Sequence, residues 1–164
     1  MQIRPATLND ADAISALIKS VAHYFTLQPQ GQGAEGFLQG IEPAAIAGYI
    51  AAPDFLYFVG EVDQQLAGLV ALRAHRHLYH LFVGTAWQGR GLSRQLWQHV
   101  QQAALLAGNH QGVTVNATPY AVPVYERFGF LPTGPRVETK GIAFVPMVWQ
   151  AGLAGKPANS LSIQ

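Results

Sequence analysis

No cysteine occurs in the 164 residues. That absence removes disulfides, thiolate metal ligands and a cysteine nucleophile together, so acyl-transfer chemistry here must be direct or use another nucleophile. Charge is also scarce. Asp, Glu, Lys and Arg make up 12% of the chain, about half the usual share of a soluble domain, so part of the surface must be apolar or covered, which suits a homodimer. The formal net charge is +1, and no run of Lys and Arg gathers the positive charge that a nucleic-acid backbone requires, so nucleic acid is not an expected partner. No apolar run is long enough to span a bilayer, and the opening Met-Gln-Ile-Arg-Pro lacks the apolar stretch of a secretory signal. A cytoplasmic protein without a membrane partner is expected. Neither an internal repeat nor a linker is visible. The length fits one domain over residues 1–150, and residues 151–164, rich in Gly, Ala, Ser and Pro, are expected to form a flexible C-terminal tail.

Periodicity outlines the elements. Gln2 to Arg4 reads as a strand. Thr7 with Asp10 three residues later is a helix-start signal, and Ala11, Ile14, Leu17, Ile18 and Val21 then fall on one helical face. A Gln- and Gly-rich loop follows His23, Tyr24 and Phe25 and runs to Gly40; a loop this long inside a compact domain is usually functional or mobile. Tyr24 and Phe25 are assigned to core packing, with a pocket wall as the alternative. Pro43 to Ala51 reads as a helix started by proline. Phe55 to Val62 and Leu66 to Arg73 make a hairpin about Asp63-Gln64-Gln65, with Glu61 expected to face solvent. His75, His77 and His80 invite a zinc hypothesis, but strand alternation puts His80 on the face opposite the other two, so no metal is expected.

Residues 77 to 97 organise the chain. Leu78 to Val83 reads as a strand and a long amphipathic helix begins near Gly91, carrying Leu92, Leu96, Val100, Ala103, Ala104 and Ala107 as core positions. Gln88-Gly89-Arg90-Gly91-Leu92-Ser93 therefore sits at a helix N-terminus, where free main-chain N–H groups and the positive end of the helix favour phosphate. Gly89 and Gly91 leave the backbone open to close approach, and Arg90 and Arg94 add positive charge. The pattern is neither a P-loop nor a dinucleotide fingerprint. Val113 to Asn116 is a further strand, Val122 to Phe128 a short helix closed by Gly129, and Ile142 to Trp149 a last strand marked by Pro146 as an edge or a bulge.

Gln88-Gly89-Arg90-Gly91-Leu92-Ser93 resembles the acyl-CoA pyrophosphate loop of the GNAT superfamily of N-acetyltransferases, with Ser93 standing where Gly or Ala is usual. Tyr125-Glu126-Arg127-Phe128-Gly129-Phe130 resembles that family's Tyr-x-x-x-Gly-Phe segment, and the likeness spans residues 2–149. It implies an α/β (α+β) fold: a mixed, mostly antiparallel sheet of about six to seven strands, splayed between the fourth and fifth and flanked by about four helices. It also implies acetyl-CoA as cosubstrate without a metal, and an amine acceptor attacked directly in a ternary complex. The cofactor arm would lie against the main chain of Phe82 and Val83. Main-chain N–H groups near Leu81 and Phe82 would face the reacting carbonyl, and Asn116 would bond the arm or an adjacent loop.

The family's positions put Tyr125 as the acid that protonates the departing thiolate. The residue that frees the amine from its proton, a step costing roughly 4 kcal/mol for a lysine-like amine at neutral pH, falls on His77, with His80 as alternative. A non-catalytic acyl-CoA sensor is the second reading, and an unrelated α/β interaction domain the third. Glu35 and Glu42 are the only carboxylates expected near the acceptor pocket, which slightly favours a small or weakly charged amine.

Overall fold

In a computed structural model, which describes residues 1–152, eight strands form a single sheet in the order β1-β2-β3-β4-β5-β8-β6, with β7 paired to β8. These are β1 (Gln2–Pro5), β2 (Phe55–Val62), β3 (Gln65–Arg73), β4 (His77–Val83), β5 (Val113–Ala117), β6 (Leu131–Pro132), β7 (Val137–Thr139) and β8 (Ile142–Trp149). The helices are α1 (Ala11–Val21), α2 (Glu35–Gln39), α3 (Pro43–Ala51), α4 (Leu92–Leu106) and α5 (Val122–Arg127). Every strand pair is antiparallel except β4 with β5.

Two apolar layers hold the sheet between them. On one face Leu96, Trp97 and Val100 of α4 meet Val113, Val115, Phe130 and Trp149, all nearly or fully buried. Trp97 packs 4.8 Å from Phe130 and 5.6 Å from Trp149 between ring centroids. On the other face Ile14 and Ile18 of α1 and Ile46 of α3 cover Tyr57, Val59, Leu69 and Ala71. Burying a large aliphatic side chain is worth about 2 kcal/mol, so these stripes fix which face each helix covers. The start of α1 is held electrostatically. Asp10 accepts from the Thr7 N–H at 2.7 Å and from Arg4 at 2.9 Å, and Arg4 also reaches Glu61 at 2.7 Å. Glu61 therefore joins β2 to β1 and α1 instead of facing solvent as expected.

The strand count exceeds the expected six to seven because residues 132–141 contain β7, which turns into β8 through Lys140 and Gly141, both at positive φ. The expected loop through Gly40 includes α2, and the expected tail falls mostly on residues 153–164, outside the described residues.

The feature that shapes the site is an irregularity in β4. Ala71 pairs with His80 and Leu72 with Leu78, so Tyr79 is an extra residue, a bulge that bends the strand. Beyond it β4 leaves β5. Only His77↔Thr114 and Leu78↔Val115 pair, whereas Asn116 and Ala117 pair with β8. Past Leu78 one edge of β4 has no strand neighbour.

The segment between α1 and α3 is fastened to the β7–β8 turn. The Leu27 N–H donates to the Gly141 carbonyl at 2.8 Å, and Gly141, at φ +74°, lies so close to Gly33 and Ala34 that a Cβ there would collide with their backbones. Gly141→Ala should therefore lower the unfolding free energy by about 2–3 kcal/mol through strain and collision together. Urea denaturation measures this; an unchanged midpoint would refute the contact.

Candidate active site

Two cavities meet at the place where β4 and β5 part. The first, of about 300 Å³, runs from the loop before α4 along β4 to α5. Its N-terminal rim is built by backbone geometry. Gly89 and Gly91 sit at φ +76° and +77°, a region that disfavours other residues, and a Cβ on either would meet nothing within 4 Å, so the space beside them is open. Gly91 caps α4, and the first intrahelical bond runs from Gln95 N–H to the Gly91 carbonyl at 3.3 Å. The N–H groups of Leu92, Ser93 and Arg94 therefore have no acceptor within the helix, the arrangement that binds an anion. These residues fit a phosphate group by donor type and by room.

Of the residues expected at this site, Gln88, Gly89, Gly91, Leu92 and Ser93 line the first cavity, as do Leu81, Phe82 and Val83 on its strand wall and Asn116 and Tyr125 opposite. Arg90 and Arg94 do not. The Arg90 guanidinium lies 5.2 Å over the Trp87 ring. That of Arg94 lies 5.2 Å over Phe128 and donates to the Arg127 carbonyl at 3.4 Å, tying α4 to α5. Their guanidinium groups rest on aromatic faces, Arg90 over Trp87, which itself lines the first cavity, and the end of α4 adds its own positive potential there. The Gln88 amide donates to the Val83 carbonyl at 3.1 Å and closes the loop onto β4.

Tyr125 is buried, its ring edge-on to Phe128 and Phe130, and burial pushes its phenol pKa well up, so the hydroxyl keeps its proton. Tyr24 and Phe25 also face this cavity, Phe25 while buried in the core and Tyr24 stacked on Tyr120 at 4.6 Å. Both assignments made for them thus describe the same residues. Thr118, Tyr120 and Val124 complete the wall; nothing in the sequence marked them, because they follow a strand end whose direction depends on the splay.

The second cavity, of about 390 Å³, holds His77 and His80 together. The expectation that they face opposite ways fails because the bulge at Tyr79 adds a residue between them. His75 lies in the β3–β4 turn at φ +55°, and among the described residues no cluster of three His, Cys, Asp or Glu could hold a metal ion.

The two histidines differ in chemistry. His77 is half-buried, with Nδ1 2.7 Å from the Thr114 hydroxyl, itself 3.4 Å from the Arg76 carbonyl. A hydroxyl that donates to that carbonyl accepts from Nδ1–H, which leaves the Nε2 lone pair free as a base. Burial, then the nearby Arg73 charge, lowers the His77 pKa, so the ring is neutral at neutral pH. Thr114 was not singled out in the sequence, although its alternation with Asn116 along β5 puts both on the open face. His80 is 6% exposed, and its Nδ1 is 2.9 Å from the Tyr57 hydroxyl. Desolvation depresses its pKa to about 3, a value suited to a structural contact and not to proton removal near pH 7.

With this geometry in place, the comparisons decide the family. A sequence model described as the acetyltransferase (GNAT) domain matches residues 25–151. The chain belongs to the GNAT acetyltransferase family. A GCN5-related N-acetyltransferase from Rhodopseudomonas palustris superposes with a TM-score of 0.77 at 18% identity, covering 91% of this GNAT chain and 94% of the other. The PaiA N-acetyltransferase from Thermoplasma acidophilum, solved in complex with coenzyme A, gives 0.73 at 13% identity over 91% and 98%. A GNAT acetyltransferase from Streptococcus pneumoniae gives 0.67 at 19% over 92% and 99%. At these identities the structures establish the shared GNAT fold. The comparison with curated proteins gives no match. No helix among the described residues is long and apolar enough to cross a membrane.

The His80 contact yields a pH prediction. Unfolded, the ring titrates near 6.5; folded, near 3. Between these values the unfolded chain binds the additional proton, so this contribution to stability is fully present above pH 6.5 and is lost as pH falls toward 3. Going from pH 7 to pH 5 should cost about 2 kcal/mol of unfolding free energy from this group. His80→Asn, which can still bond Tyr57, should flatten that slope; an equally steep slope in the variant would contradict a buried neutral His80.

Proposed function

We propose that this GNAT protein transfers an acetyl group from acetyl-CoA to a primary amine by direct attack within a ternary complex. The observation that carries the reading is the continuity of the first cavity, from the uncapped N–H groups of α4, past the free edge of β4, to Tyr125. The PaiA N-acetyltransferase binds coenzyme A according to its description, and the shared fold supports the same cosubstrate here. Bound acetyl-CoA would supply a thioester carbonyl and a phosphate-rich tail.

This chain's own residues would divide the work. The Gly89–Arg94 main chain would hold the diphosphate, with Ser93 at the third small position of the loop. The unpaired edge of β4 about Leu81, where the main chain of Phe82 turns instead to β3 and the Val83 carbonyl already accepts from Gln88, would take the extended arm as an added strand, with the Leu81 N–H turned toward the reacting oxygen. Asn116, on the opposite wall, would bond an amide of the arm. His77 Nε2 would accept the proton of the incoming amine, directly or through one water, held in orientation by Thr114.

Tyr125 would share its proton with the leaving sulfur. Burial makes the phenolate costly, so the hydroxyl acts as a donor while charge develops and does not dissociate beforehand. The low pKa of His80 favours His77 as the base. A catalytically silent acyl-CoA sensor would have the same cavity, but it would not need a neutral imidazole and a protonated phenol on either side of the gap.

Calorimetry should detect acetyl-CoA binding, and CoA release should depend on an added amine. Tyr125→Phe should lower kcat about 10- to 100-fold with cofactor affinity changed by less than about twofold. His77→Gln should lower kcat/KM by about 100-fold and remove an acidic limb in the pH profile. In the natural protein this limb rises with pH and has its midpoint below 6.5, since the base must be unprotonated and its pKa is lowered. Full turnover in both variants would exclude the assigned roles.

A further inference from the structure

The second cavity shares Phe25, Tyr79, Phe82, Asn116 and Thr118 with the first, so the two meet at the β4–β5 gap. It is the space left for an acceptor, and its chemistry is distinctive. Phe37, Ile41, Tyr49 and Phe144 are among its lining residues. Among the described residues no Asp, Glu, Lys or Arg lines it.

The two carboxylates nearest in sequence are engaged elsewhere. Glu35 is exposed and accepts from the Gly33 N–H at 3.0 Å, and Glu42 pairs with Lys19 at 2.9 Å on the surface. The polar groups of the wall are partly committed: Tyr79 donates to the Tyr49 hydroxyl at 3.2 Å, which keeps its own proton to donate, and His80 Nδ1 bonds the buried Tyr57 behind the wall. Open polar functions remain at the junction, namely the second nitrogen of His77 and the side chain of Asn116, while the Thr118 hydroxyl accepts from the Ala121 N–H at 3.3 Å.

A second ammonium group placed in this cavity would lose water with no carboxylate to replace it, a penalty of several kcal/mol. An aromatic or aliphatic body would gain by the same desolvation. Resting on the acetyltransferase reading above, we propose that the acceptor is a small primary amine with an uncharged aromatic or aliphatic body, and that polyamines and aminoglycosides are excluded. The amine nitrogen sits at the polar junction beside His77, and the body fills the space between Phe37, Tyr49 and Phe144. Its transferred proton goes to His77, and the new amide nitrogen is left uncharged.

The test compares CoA release from acetyl-CoA with 2-phenylethylamine and hexylamine against 1,4-diaminobutane, spermidine and kanamycin, after calorimetry with acetyl-CoA alone. The apolar amines should give kcat/KM at least about 30-fold above the polycations, the scale expected when only one competitor leaves a buried group unpaired. Phe144→Asp, which introduces a carboxylate, should reduce that ratio at least about tenfold. A polycation used as well as or better than phenylethylamine overturns the proposal. So does an acetyl-CoA-binding protein that releases no CoA with either apolar amine. Absence of acetyl-CoA binding is a different result: it removes the acetyltransferase reading, and this inference with it.

Discussion

One extra residue in one strand governs the architecture of this protein. Because Tyr79 is unmatched between Leu78 and His80 in the β3–β4 pairing, β4 bends away from β5 after two paired residues, and a sheet that would otherwise be continuous opens on one side. Two effects follow. The edge of β4 past Leu78 has no strand neighbour, which leaves the Leu81 main chain open while the Val83 carbonyl accepts from Gln88, and the side-chain alternation shifts so that His77, Tyr79 and His80 all serve the α1–α3 side. The gap and the clustering of imidazoles are a single backbone event.

The low content of charged residues, 12% of the chain, has its structural counterpart in the site. Both cavities are lined without a charged side chain among the described residues, so the electrostatics of the site come from main-chain dipoles and neutral titratable groups. A helix end does this well only if it is held near the sheet. Gly68 allows that approach: a Cβ there would stand 2.9 Å from the Phe82 carbonyl and 3.0 Å from Leu96 of α4, so the helix carrying the free N–H groups rests directly on the sheet. In so apolar a setting burial depresses the imidazoles and raises the phenol. These directions leave His77 neutral and Tyr125 protonated, the states that the proposed base and acid need, without any help from carboxylates.

Much of this could be read from the chain. The strand Leu78–Val83, the glycine turn and the α4 start form a contiguous signal, because the residues that build the open end of α4 are neighbours in sequence. The Tyr125 segment was legible for the same reason. What escaped reading depends on long-range register. Strand alternation assigned His80 to the wrong face because a bulge leaves no mark in Leu78-Tyr79-His80. The partners Thr114 and Tyr57 come from other strands, and Arg90 and Arg94 have charge suited to phosphate but lie over Trp87 and Phe128. The short β7 hairpin was hidden in a polar stretch whose turn, Lys140-Gly141, does not stand out from a loop.

The central claim is that an anionic cofactor rests against the uncapped end of α4 and extends along the open edge of β4. Amide NMR of the folded protein during titration with CoA measures this position by position. The largest shifts should fall on Gly89 to Arg94, with a second group at Leu81 to Val83 and a response at Tyr125. CoA binding that leaves those amides unmoved, or no binding at all, would contradict it.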